Sequence, residues 1–74
     1  MTNTKTAATA LRRLAQIERI DIEQLTDLNL TNLWIELDNL AAHFAAHDIP
    51  RRAGHLQELV AEEQGDRAWD AARA

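Results

Sequence analysis

The stretch LTNLWIELDNLAAHF, residues 30–44, decides the fold: Leu30, Leu33, Leu37, Leu40 and Phe44 recur at alternating steps of three and four. That spacing draws one apolar stripe along a helix, because 3.6 residues complete a turn. The stripe predicts a main helix over residues 32–47, with Thr31 as its cap and Asn29 in the preceding turn. Outward from it, Ala7, Ala10, Leu11, Leu14 and Ile17 give a first helix ending near Arg19. Between these two, Asp21 as N-cap with Gln24 three positions on reads as a capping box, with Ile20 stapled to Leu25, and predicts a short helix to Leu28.

Asp48-Ile49-Pro50 ends the main helix and opens the last one, since Asp caps and proline is tolerated in a first turn. Ala53, Leu56, Leu59 and Val60 give its apolar face, and Gly65-Asp66 predicts a break after Gln64. If the helix instead continues, Trp69 lies about 220° around it from Leu56 and points away from the core. The expected fold is therefore all-α: a small bundle of three main helices plus one short helix. It forms one domain over residues 1–74, with 1–5 frayed and 65–74 as a separate terminal turn.

Composition closes several routes. The 74 residues contain no cysteine, serine or tyrosine, which excludes disulfides, thiolate metal sites, serine hydrolysis and tyrosine nucleophiles. The passage Asp27-Leu28-Asn29-Leu30-Thr31-Asn32-Leu33 resembles the attachment motif of acyl carrier proteins over seven residues, but Asn32 stands where the attachment serine is required, so carrier function does not follow. No apolar run has the length of a signal peptide core or a membrane span, and the expectation is a soluble, cytoplasmic protein without membrane contact. A chain this short buries little surface unaided, so a homodimer is expected.

The net charge of −4 is unevenly spread. Residues 1–19 set Lys5, Arg12, Arg13 and Arg19 against Glu18, whereas residues 20–50 hold six acids and no Lys or Arg. The simple reading is a basic first helix beside an acidic main one. A nucleic-acid contact would need Arg12, Arg13, Arg51 and Arg52 to converge. Residues 21–47 have the rhythm of a helix-turn-helix, which keeps a DNA-binding transcriptional regulator as the alternative function. The prospective groove-facing residues Asn32, Glu36, Asp38 and Asn39 include two acids and no base.

Glu36, His43 and His47 share one edge of the main helix, with His55 on the next, which makes a metal-binding bundle a second alternative. One helix alone leaves an incomplete coordination shell, and the bland reading places these imidazoles favourably near a helix C-terminus. No cofactor and no catalytic residue are expected. The interaction features are stronger: Ile35 and Ala42 lie opposite the apolar stripe, where a bundle helix with one packed side would carry charge. With Trp34, Asp38 and Trp69 they form the candidate partner-binding set. The leading expectation is a non-enzymatic protein-interaction module, a small regulator, adaptor or inhibitor that holds a protein partner or itself by helix–helix contacts.

Overall fold

A computed structural model describes residues 7–45 and 48–73. Three helices, α1 (Ala7–Glu18), α2 (Asp27–His43) and α3 (Ile49–Arg73), are joined by a single 3-10 turn at Ile22–Gln24 and by the link that follows α2. No strand occurs among the described residues, so the bundle of three main helices with one short one stands.

α2 and α3 form an antiparallel hairpin. Asp27 at the start of α2 meets Arg67 late in α3, Thr31 meets Gln64, and the Trp34 carbonyl accepts from Gln57 Nε2. α1 lies along this hairpin and buries Ala10, Leu14 and Ile17 against Leu30, Leu33 and Leu37 of α2 and Ile49, Ala53, Leu56 and Val60 of α3. Every residue of this core is aliphatic, and no polar or charged side chain is buried among the described residues. The core therefore gains stability by removing apolar surface from water and by close packing, with no desolvated polar group to offset it. Polar ties sit at its rim. Arg13 grips Glu36 through two guanidinium nitrogens and so binds α1 to α2, while Arg52 grips Glu18 in the same fashion and binds α3 to α1.

Four boundaries differ from the sequence expectation, each for a physical reason. Asp21 does cap, accepting from the Glu23 N–H at 3.2 Å, but Leu25 and Thr26 are extended, and the turn stops at three residues instead of reaching Leu28. Thr26, not Thr31, caps α2: its hydroxyl accepts from the Asn29 N–H at 3.1 Å, with Asp27 in the favourable first turn. Asn29-Leu30-Thr31 is thus continuous helix, and Thr31 donates to the Asp27 carbonyl one turn back. At its other end α2 stops at His43 rather than at residue 47, because Phe44 becomes extended and packs its ring onto the core.

Asp48 opens α3 through its carbonyl, which accepts from the Arg52 N–H at 2.9 Å, while its carboxylate is held by Arg51. Its φ of 62° lies in the left-handed region that Asp tolerates better than most residues. Finally, α3 runs through Gly65 to Arg73, so residues 65–73 are not a separate turn. The Glu63–Arg67 ion pair spans the glycine, and Arg67 also reaches Asp27 and the Glu23 carbonyl. That clamp lies on both sides of the weak point, opposing the roughly 1 kcal/mol by which a helical glycine disfavours the helix. The expected fraying of residues 1–5 falls outside the described residues.

The last turns of α3 extend beyond α2. Arg67 pairs with the first residue of α2, and every residue from 68 to 73 is exposed. The molecule accordingly measures 53 Å along its axis and 18 Å across.

Candidate functional site

Because α1 and α3 occupy adjoining sides of α2, the remaining side of α2 stays open. Leu28, Ile35 and Ala42, each seven residues apart, lie about 150–175° around the helix from the buried leucines. Leu28 is 68% exposed, Ile35 49%, and Ala42 is also exposed. An apolar seam two full helical repeats long therefore faces solvent, flanked by Thr31 and Asp38 on one side and Asn32 and Asn39 on the other. All four flanking residues are exposed.

Beside the seam, Asn32, Ile35, Glu36, Asn39, Leu40, His43 and Phe44 line an open groove of about 730 Å³. Its floor is apolar and its rim carries carboxamides. Both of its titratable groups make other bonds. Glu36 holds Arg13 by both carboxylate oxygens, and His43 Nδ1 lies 2.8 Å from the Asn39 carbonyl of its own helix.

Among the described residues, Glu36 and His43 line one groove, but the proposed metal ligands do not gather into a coordinating set. Glu36 is committed to Arg13, His55 stands exposed on α3 near Glu18, and His47 lies outside the described residues. Among the described residues no three His, Cys, Asp or Glu side chains are grouped to hold a metal ion.

The arginines do not pool either. Arg13 faces Glu36, Arg52 faces Glu18 and Arg51 faces Asp48, while Arg12 is exposed on α1. The helix-turn-helix reading of residues 21–47 also loses its turn, since positions 29–31 are helical.

The displaced titrations all trace to these ion pairs. Hydrogen bonding from Arg52 holds the Glu18 carboxyl below the usual carboxylate range. Arg13, Arg52 and Arg67 are raised by their bonds to Glu36, Glu18 and Asp27 respectively, Arg67 also by Glu63. Each stabilises helix packing, and none faces the groove on α2 except through Glu36.

Of the expected partner-binding set, Ile35, Asp38 and Ala42 share the outer side of α2. Trp34 is 39% exposed on the flank of α2 nearer α3, so it belongs to neither the sealed core nor the seam. Trp69 stands apart on the projecting end of α3, 64% exposed, with the Arg73 guanidinium 5.9 Å from its ring centroid. The residue overlooked in the sequence is Leu28, the most exposed of the large apolar side chains. Its position seven before Ile35 was the available signal, masked by assigning it to a different helix.

No family model matches this sequence, and comparison with curated proteins and with solved structures gives no match either. Among the described residues no helix is long and apolar enough to cross a membrane.

Proposed function

We propose that this protein is a non-enzymatic protein-interaction module, a small regulator, adaptor or inhibitor whose contact surface is the outer side of α2. The observation that carries this reading is the seam of Leu28, Ile35 and Ala42. These side chains contribute nothing to the molecule's own core, and Leu28 and Ile35 expose most or half of their surface. A helix stabilised solely by its own bundle has no use for leucine and isoleucine there. A helix that packs on both sides does, and its solvent side then becomes the core of an interface.

The flanking chemistry supports protein as the partner. Asn32, Asn39 and Thr31 are neutral hydrogen-bonding groups, as at the polar rim of an interface, and the lone free charge is Asp38, which disfavours phosphate backbones. Trp69 on the projecting end of α3 supplies a second contact, since Trp is the residue most enriched among binding hot spots. Trp69 stands two residues beyond Arg67, which pairs with Asp27 at the Leu28 end of the seam.

Affinity capture with Ile35→Asp and Trp69→Ala beside the wild type tests the reading. Proteins held by the wild type are lost by Ile35→Asp and weakened by Trp69→Ala, while the helical circular dichroism of both variants is unchanged. Retention of the same set by Ile35→Asp, with its fold intact, would remove the outer side of α2 from the account.

A further inference from the structure

We infer that the occupant of this surface is a second copy of the same chain, its α2 antiparallel to the first and Ile35 on the two-fold axis. The inference rests on the reading of α2 as an interaction surface and adds the partner, the orientation and the register.

Size complementarity gives the register. The seam is lopsided in side-chain size: Leu28, 68% exposed, stands at one end and the small Ala42 at the other. In an antiparallel pair centred on Ile35, residues whose numbers sum to 70 face each other. Leu28 then enters the space over Ala42 of the second copy, twice by symmetry, and the two Ile35 side chains meet at the centre. A parallel pair would stack Leu28 on Leu28 and leave Ala42 above Ala42, a gap at one end and crowding at the other. Close-packed interfaces disfavour both.

The polar flanks agree with the same register. In an antiparallel helix pair each flank meets its own counterpart, so Asn32 lies across from Asn39 of the second copy on one side. A carboxamide both donates and accepts, and two such pairs satisfy each other. On the opposite side Asp38 lies across from Thr31, next to which Gln64 holds its amide 3.4 Å from the hydroxyl. A carboxylate thus meets a neutral hydroxyl and the adjacent Gln64 amide, and not a second carboxylate. The two Asp38 side chains stand about 9 Å apart along the axis, and Glu36 is neutralised within each copy by Arg13. Nothing on this surface repels its own image, as a self-complementary two-fold contact requires.

The seam is one helix long, about 25 Å for the 17 residues of α2. A single helix pair of that length falls at the small end of specific interfaces, and the expected dissociation constant is on the order of micromolar.

The chain has no cysteine, so introduced thiols report orientation cleanly. Oxidised Ile35→Cys is expected to form a covalent dimer in high yield. Leu28→Cys alone stays uncrosslinked, because its two copies lie about 21 Å apart in this register. A mixture of Leu28→Cys with Ala42→Cys gives the crossed product. Sedimentation velocity of the unmodified chain shows mass rising from monomer to dimer across the micromolar range, and Ile35→Asp abolishes the rise while keeping its helical spectrum. Efficient self-crosslinking of Leu28→Cys overturns the antiparallel register, and a monomer at every concentration overturns the second copy as occupant. In that last case, if Ile35→Asp still loses a captured protein, the surface stands and only its occupant is wrong. If it loses none, the proposed function fails as well.

Discussion

Leu37 and Ile35 stand two positions apart on α2, and replacing each with alanine separates the two sides of that helix. Leu37 is fully buried, whereas Ile35 is 49% exposed. Each substitution removes three carbon atoms, worth about 2.4 kcal/mol at roughly 0.8 per buried methylene. At Leu37 the packed neighbours cannot fill the space, and the cavity raises the cost to about 3–5 kcal/mol. At Ile35 half of the transfer term is absent and no cavity forms, which leaves about 1 kcal/mol.

A 74-residue domain has a total stability of roughly 4–11 kcal/mol, so Leu37→Ala removes a large share of it and Ile35→Ala a small one. In thermal terms the drop in Tm is about 12–40 °C for Leu37→Ala and under about 8 °C for Ile35→Ala. Urea unfolding followed by helical circular dichroism, on protein dilute enough to be monomeric, measures both. Equal costs, or a larger cost at Ile35 under those conditions, would refute the division of α2 into a packed side and a free one.

Gly65→Ala is expected to raise stability by about 0.5–1 kcal/mol, since the glycine is helical, has negative φ, and nothing lies within 4 Å of an added Cβ. A loss in the melting temperature would mean that α3 breaks there. Thr26→Ala should cost about 1 kcal/mol through the lost cap. Thr31→Ala, in mid-helix, removes no cap, and the opposite ranking in urea melts would return the start of α2 to residue 32. The lowered Glu18 pKa gives stability that is complete above the ordinary carboxylate range and is lost as pH falls through the folded value. A carboxyl-carbon NMR titration should show the Glu18 midpoint moving up toward the ordinary value in Arg52→Met, and an unmoved midpoint would discount the pair.

The helical class and nine of the ten core residues were legible from period alone: Ala10, Leu14, Ile17, Leu30, Leu33, Leu37, Ala53, Leu56 and Val60 all fall on the expected stripes and are buried. Ile49 stands at a junction in the sequence, and its complete burial arises from how α3 meets α1 and α2. The cap of α2 was misplaced because Thr26 and Thr31 are both competent caps, and only the extended backbone at Leu25 and Thr26 selects the first. With the helix start placed at Thr31, Leu28 falls outside α2 and so outside the outer seam. Gly65 reads locally as a break, but the clamp of Arg67 on Glu63, Asp27 and the Glu23 carbonyl is tertiary and invisible to local propensity. The alternatives for Glu36 and the arginines turned on the same kind of information, since Arg13–Glu36 and Arg52–Glu18 join residues 23 and 34 positions apart.

The proposed occupant of the outer side of α2 is a second copy of the chain. Backbone amide NMR over a concentration series of the unmodified chain tests it most directly, from well below to well above the micromolar range expected for this interface. Progressive shifts confined to residues 28, 31, 32, 35, 38, 39 and 42, with the core positions 30, 33 and 37 still, are the predicted result. Spectra that do not change with concentration, or changes centred on α1 or the end of α3, would contradict it.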